Sequence, residues 1–525
     1  MQSTILKISL FVCVFAFLHC QQSTTENAAV KPKERPNILF IMTDDHTRQA
    51  MSAYGSKLIQ TPNLDRIAND GILFKNSFVT NSICGPSRAV MLTGKYSHIN
   101  GFKDNHSTFN TSQMTFPKLL QKAGYQTAIV GKWHLKNPPT GFDYWNVLPG
   151  QGFYYNPVFI ENGDTLTYEG YVTDVTTDLA LNHLENRDKD KPFCLLMHQK
   201  APHRNWMPDT SELDLFVEDL PIPDNFFDTY ETRSPSVKVQ DMRVTDMYLS
   251  LDMKLQPDFY EKETGTGGFK KHNAVKDWER LYGRMNAEQR VAWDAHYDKV
   301  NEYYKQKNLT GKDLELWKYQ RYIKDYLRCV VSVDNNVGRV LDYLAENGLE
   351  ENTLVIYTSD QGFYLGEHGW YDKRFMYEES FSTPLAMRYP VAISKGKTTD
   401  ALALNLDFAP TILDYAGVDI PDEIQGTSLR PLCSGNQPND WRQSVYYHYY
   451  QSTGWHHVPK HYGVRTDRYK LIHYYENGDW ELYDLESDPQ EMKNLYGEEA
   501  YKELTVKLKQ EINRLQEEYA VARGT

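Results

Sequence analysis

Hydrophobic residues along this chain follow two rhythms. Short, unbroken apolar runs bounded by turn-forming residues alternate with longer stretches whose apolar positions recur every three or four residues. The first run is Asn37-Ile-Leu-Phe-Ile-Met42. It lacks polar alternation, which predicts a strand buried on both faces, as in a parallel sheet. Gln126 to Val130, Phe193 to Met197 and Thr353 to Thr358 have the same character. Between them, Thr61 to Gly71 has a helix start signal and a glycine stop, and Asp325 to Asn347 keeps helical spacing up to Gly348. Strands alternating with helices predict an α/β fold, an α/β/α sandwich around a mainly parallel central sheet.

Two stretches depart from this rhythm. Asp209 to Trp317 is polar, Tyr-rich and long. It reads either as an insertion on the rim of the active face or as a structural helical excursion. The composition then breaks at Ser434 to Asp440. Beyond that break, Ser444 to Tyr450, Gly463 to Val464, Tyr469 to Tyr475 and Trp480 to Tyr483 predict antiparallel strands, and Glu499 to Tyr519 predicts a closing amphipathic helix. The expected organisation is a catalytic domain over 36–433 and a small C-terminal α+β subdomain over 441–525.

Residues 1–20 read as a targeting segment. Lys7 precedes the apolar run Ile8 to Leu18, which is too short to span a bilayer and ends Phe17-Leu-His-Cys20. This predicts export. It resembles a bacterial lipoprotein signal with Cys20 as the lipidated residue, the alternative being an ordinary cleaved signal. A periplasmic or cell-surface location in a bacterium follows, with a lipid anchor on Cys20 as the one membrane attachment.

Charge and cysteine usage narrow the classes further. A formal net charge of −13 argues against nucleic acid and anionic membrane surfaces as partners. It leaves an anionic small substrate open, because a local field outweighs distant charge. Cys84, Cys194, Cys329 and Cys433 are widely spaced and form no CxxC, so neither a disulfide framework nor a zinc cluster is expected.

The chemistry-bearing residues follow the predicted strands. Asp44 and Asp45 come after the first, Lys132 and His134 after the second, His198 and His203 after the third, and Asp360 and Gln361 after the fourth. Open α/β sheets bind ligands beyond the carboxyl ends of their strands, so these groups converge on one edge. Asp44 and Asp45 alone read more readily as turn or capping residues than as ligands. Joined by Asp360 and the amide oxygen of Gln361 they form an all-oxygen set suited to calcium or magnesium and not to zinc. Arg88, Lys132, Lys373 and the histidines beside such a cation fit a tetrahedral oxyanion, sulfate or phosphate. In Cys84-Gly-Pro-Ser-Arg88, Pro86 suits a first helical turn, which puts Cys84 at a helix N-terminus. From the residues alone this is a reactive thiol, an anion site or a buried structural cysteine.

Cys84-Gly-Pro-Ser-Arg88, with Leu92-Thr-Gly94 after it, resembles the Cys-x-Pro-Ser-Arg signature of the type I sulfatase family. The resemblance runs from about Pro36 to Leu495. It includes Gly131-Lys-Trp-His134, Ala201-Pro-His203, Thr358-Ser-Asp-Gln-Gly362, Asp407-Phe-Ala-Pro-Thr411 and Gln425-Gly-Thr-Ser-Leu429. Tyr483-Asp-Leu485, Asp488-Pro489 and Asn494-Leu495 resemble the family's C-terminal subdomain.

The resemblance implies an alkaline-phosphatase-like fold and conversion of Cys84 to formylglycine by a sulfatase-maturing enzyme. One hydroxyl of the aldehyde hydrate would attack sulfur. The other would let the sulfated enzyme collapse by C–O cleavage, releasing sulfate. Asp44, Asp45, Asp360, Gln361 and modified residue 84 match the ligands of one calcium ion, although the family more often has Asn or His where this chain has Gln361. Arg88 and Lys132 would hold the diol, and His134 would assist return to the aldehyde. His203 and Lys373 would contact the sulfate, with His203 the proton donor to the leaving oxygen. His198 has no counterpart and reads as structural.

Glu367 to Ser380 resembles a stretch of bacterial carbohydrate sulfatases, making His368 and Arg374 candidate substrate contacts. The expected activity is hydrolysis of sulfate esters on a sulfated carbohydrate. The polymer would be a glycosaminoglycan, attacked as by N-acetylglucosamine-6-sulfatases, or an algal polysaccharide such as ulvan. The alternatives are a phosphonate or phosphate ester hydrolase of the same superfamily, and a non-catalytic glycan-binding surface lipoprotein.

Overall fold

The computed structural model describes residues 35–268, 270–451 and 456–521. The predicted signal and Cys20 lie outside the described residues. The central feature is a ten-stranded sheet. Its middle is parallel: Thr353–Ser359, Asn37–Thr43, Phe193–His198, Gln126–Lys132 and Tyr144–Leu148 lie side by side in that order. The four anticipated runs are the four adjacent strands at its heart, each extended by one or two polar residues toward the carboxyl edge.

Side-chain alternation along these strands fills two separate cores. Ile38, Phe40 and Met42 pack with Ile129, Leu196 and Ile356 against helices Cys84–Thr93, Phe116–Lys122 and Phe408–Ala416. Leu39 and Ile41 pack with Val130, Leu195 and Met197 on the opposite face, under helices Pro62–Asn69, Val172–Asn186 and Gly311–Glu346. Both faces being covered is why these strands are apolar throughout. No helix among the described residues is long and apolar enough to cross a membrane.

The sheet reaches further than its apolar runs. On one side Leu385–Arg388 pairs antiparallel with Thr353–Ser359, followed by Ile72–Phe74 and Lys397–Thr399. On the other, Val158–Glu161 and Asp164–Thr167 continue antiparallel from Tyr144–Leu148. These edge strands are short, and Asp164–Thr167 is wholly exposed, so no hydrophobic pattern marks it.

Helix Gly311–Glu346 is 36 residues long and starts well before the expected Asp325. Its first turns bury cations that hide the apolar period. Lys318 Nζ donates to the carbonyls of Thr245 and Met247 at 2.9 and 2.6 Å, and Arg321 lies 3.3 Å from Asp325. The stretch 209–317 is mainly irregular, with helices Lys271–Tyr282 and Ala287–Lys307 as its longest regular pieces. Toward the C-terminus, Ser444–Tyr449, His461–Thr466, Tyr469–Tyr474 and Asp479–Asp484 form an antiparallel sheet. Helix Lys502–Glu518 covers it with Leu508, Ile512 and Leu515. A 3-10 turn over Glu499–Tyr501 replaces the expected first helical turn.

Gly131 shows how tightly the carboxyl edge is drawn together. Its φ is 100°, and a Cβ there would lie 1.9 Å from the His198 carbonyl oxygen. Gly131→Ala is therefore expected to cost about 3 kcal/mol of stability. Chemical denaturation measures it, and a midpoint equal to that of the parent would show that the two strands can separate freely.

Candidate active site

Strand register assembles the site. Thr43 pairs with Ser359, so Asp44 and Asp45 leave one strand directly beside Asp360 and Gln361 leaving the next. The Asp45 N–H donates to Asp360 Oδ1 at 3.2 Å, and the Asp360 N–H to the Thr43 carbonyl at 3.1 Å. Met42 and Gly131 both pair with His198, which brings the ends of the other two strands to the same edge. Asp45 itself has φ 69°, a left-handed conformation uncommon for a residue with a side chain.

Asp44, Asp45 and Asp360 are fully buried and bring one carboxylate oxygen each within 4.8 Å of one another. Three cations oppose them. Lys132 Nζ contacts Asp44, and Lys373 Nζ donates to both oxygens of Asp45 at 2.7 Å. Arg88 Nε donates to Asp360 at 2.9 Å, while another of its nitrogens reaches the Lys132 carbonyl at 2.6 Å. Burial raises the Asp45 carboxyl to about 6 although Lys373 opposes the rise.

Two oxygens in this cluster, Asp44 Oδ1 and Gln361 Oε1, are buried without a hydrogen-bond partner. Buried acceptors of that kind are rare unless a ligand completes them. The donor set is all oxygen and fits a hard divalent cation such as calcium or magnesium. Gln361 turns its NH2 toward Asp45 at 2.5 Å, and rotation of the amide would present its oxygen instead.

Cys84 opens the buried helix Cys84–Thr93, and its sulfur lies 3.8 Å from Gln361 Nε2. Burial pushes its thiol up to about 12, so at neutral pH it is almost wholly protonated. The unmodified residue is a poor nucleophile.

A cavity of about 480 Å³ opens onto Cys84. His134, His203, Lys373 and Arg374 line it as anticipated. His203 Nδ1 is 2.7 Å from the Arg204 carbonyl, so Nδ1 carries the proton and Nε2 faces Asp45 Oδ2 at 3.8 Å. His134 Nε2 lies 3.2 Å from Gln151 Nε2, and its Nδ1 has no partner. Burial, reinforced by nearby lysines, holds both imidazoles well below their usual pKa, and therefore neutral.

His198 is buried behind the site, with Nδ1 3.2 Å from the Lys132 carbonyl. His368 is a correction. It is fully buried away from the cavity, 3.1 Å from Asp228 and among the rings of Tyr364, Trp370 and Tyr377. It cannot reach substrate there.

The wall also holds residues that motif reading missed. Asp372 lies 3.2 Å from Arg374 and 2.9 Å from His456, while Arg204 makes a two-point pair with Asp252 at 2.8 and 2.7 Å. Leu251, Asp277, Arg280 and Leu281 come from the 209–317 stretch, so that stretch walls the cavity. Asp372 and Arg374 flank Lys373, and both have left-handed backbone, φ 74° and 104°.

The chain matches the family described as Sulfatase over residues 36–418, and N-sulphoglucosamine sulphohydrolase, C-terminal, over 366–518. It belongs to the sulfatase family. The sulfatase is 51% identical to the N-acetylglucosamine-6-O-sulfatase of Bacteroides thetaiotaomicron, covering 94% of this chain and 88% of that protein. It is 24% identical to the ulvan-active sulfatase of Formosa agariphila over 98% and 87% of the two chains. A solved structure in complex with its substrate D-glucosamine-2-N,6-O-disulfate superposes with TM-score 0.88 at 50% identity, covering 93% of this chain and 99% of that one. The fold is thus alkaline-phosphatase-like, and the protein is a sulfuric ester hydrolase.

Arg88 is the most connected cation of the sulfatase's centre and is only 1% exposed. Arg88→Met would leave Asp360 as a buried charge with its closest partner gone, a change expected to cost about 3–5 kcal/mol. Urea denaturation reads this directly, and a loss under 1 kcal/mol would mean that Asp360 is balanced by other groups.

Proposed function

We propose that this sulfatase removes the 6-O-sulfate of glucosamine units in sulfated glycosaminoglycan fragments. The observation that carries the reading is half-identity, along nearly the whole chain, to an N-acetylglucosamine-6-O-sulfatase and to a structure that holds D-glucosamine-2-N,6-O-disulfate as its substrate. The ulvan-active relative is far more distant. A cavity of this size, with polar groups converging on one end, suits a single sulfated sugar ring.

Calcium, held by Asp44, Asp45, Asp360, Gln361 and residue 84, would supply fixed positive charge beside the sulfate. Formylglycine at position 84, made from Cys84 by a maturing enzyme, would supply paired hydroxyls in place of a thiol. The remaining roles belong to this chain's own side chains. Arg88 and Lys132 flank residue 84 and hold its oxygens. His134, held neutral by burial, is suited to take a proton as the aldehyde re-forms. Lys373 binds a sulfuryl oxygen. His203 donates from Nε2 to the departing sugar oxygen in its imidazolium form, its Nδ1 proton staying on the Arg204 carbonyl. Arg374, on the cavity wall, contacts the sugar.

A phosphate ester hydrolase would use similar groups, and half-identity to a sulfatase along nearly the whole chain is what favours sulfate. A non-catalytic glycan binder has no use for a buried acid, base and nucleophile set. The targeting segment at residues 1–20 supports export, with Cys20 the proposed lipid anchor.

Cys84→Ala is expected to lower turnover of 6-O-sulfated glucosamine at least about 10³-fold while the protein stays folded. Retained turnover in that variant would remove residue 84 from the chemistry. Against a panel of sulfated glucosamines read by mass spectrometry, loss of sulfate is expected at O6. Reaction confined to another position, or to phosphate esters, would displace this substrate.

The pH dependence has a definite sign. A donor whose pKa is depressed loses its proton early as pH rises. kcat/KM reports the free enzyme, so it should fall on the alkaline side of a pKa below the ordinary imidazole value. His203→Gln should flatten that limb. Its persistence in the variant would assign proton donation elsewhere.

A further inference from the structure

Lys200 is 3% exposed, yet lines the cavity beside Cys84 and His203. It stands two residues beyond the Phe193–His198 strand, and its carbonyl accepts from the His203 N–H at 3.1 Å. The neighbouring cations each face a carboxylate: Arg88 faces Asp360, Lys132 faces Asp44, Lys373 faces Asp45 and Arg374 faces Asp372. Among the described residues Lys200 has no carboxylate and no hydrogen-bond acceptor on its ammonium.

What holds the ammonium is the ring of Tyr154, 4.6 Å from Nζ. Tyr154 is fully buried, and its hydroxyl donates to the His203 carbonyl at 2.6 Å. One aromatic side chain therefore fixes both the ammonium and the backbone of the proton donor. An ammonium buried without a counter-ion is unfavourable. Its side chain lines the cavity, where a ligand can supply the missing anion. Burial lowers its pKa to about 8, against Cys329, Asp45 and Cys84, which raise it.

We propose that Lys200 contacts substrate in this sulfatase, its ammonium binding a non-bridging oxygen of the sulfate group held against residue 84. The inference rests on the sulfate-ester reading of the cavity. Lys132 and Lys373 spend part of their charge on Asp44 and Asp45, whereas Lys200 brings a full positive charge already fixed by Tyr154. Such preorganised charge suits a group whose oxygens gain negative charge during transfer.

Calorimetric titration of inorganic sulfate into the matured, calcium-loaded protein tests this, with Lys200→Met and Lys200→Arg measured alongside. Loss of one charge-assisted hydrogen bond should weaken sulfate binding about tenfold to a hundredfold in Lys200→Met. Lys200→Arg should stay within a few fold of the parent. Thermal midpoints should hold or rise, because the unpaired cation is removed. Sulfate binding within twofold of the parent in Lys200→Met would overturn the proposal. Should that variant fail to fold, Lys200→Gln gives the same comparison. Inorganic sulfate is the probe, so failure here is distinguishable from failure of the glucosamine reading, which the sugar panel tests separately.

Discussion

Everything at the active edge depends on three carboxylates being forced together out of water. Asp44, Asp45 and Asp360 leave adjacent parallel strands in register, and the sheet gives them no room to diverge. Like charges at that spacing repel strongly in a buried site. Lys132, Lys373 and Arg88 converge on them for that reason, and Gly131 is needed so that the strand carrying Lys132 can lie close enough. Asp45, inside the cluster, has left-handed backbone.

The charge balance leads to the chemistry. Three carboxylates offset three cations, so a divalent cation added to this centre leaves an excess of positive charge that an anion must satisfy. Lys200 adds to that excess without a carboxylate of its own. A sulfate ester is an anion whose oxygens can take up such charge, and His134 and His203 line the same cavity to exchange protons. The same burial that tunes the histidines disables the Cys84 thiol, which gives conversion of this residue a physical motive.

Much of this was legible in the sequence because the core strands carry both signals at once. Their unbroken apolar runs mark them as central, and the polar residues that end them mark the edge where chemistry gathers. Asp44, Asp45, Lys132, His134, Asp360 and Gln361 were read that way before any family motif entered. The edge strands were not legible, since Asp164–Thr167 buries nothing. The start of the long helix was obscured by buried but paired Lys318 and Arg321. His368 misled because Asp372, Lys373 and Arg374 of the same stretch line the cavity, while His368, with φ 57°, has its ring in an aromatic cluster. Lys200, Arg204 and His456 are not marked by any motif, because partner and burial, not residue type, put them on the cavity wall, and neither is written in a local pattern.

The central claim is that the carboxylate cluster exists to hold calcium. The most direct test is the thermal midpoint of metal-stripped protein as calcium is added, for the parent chain and for Asp360→Asn. A ligand that binds only the folded state stabilises it in proportion to the logarithm of its concentration, by about 4 kcal/mol at a thousand times Kd. The account predicts a rising midpoint for the parent and little or none for Asp360→Asn. A parent midpoint that does not respond to calcium would contradict it.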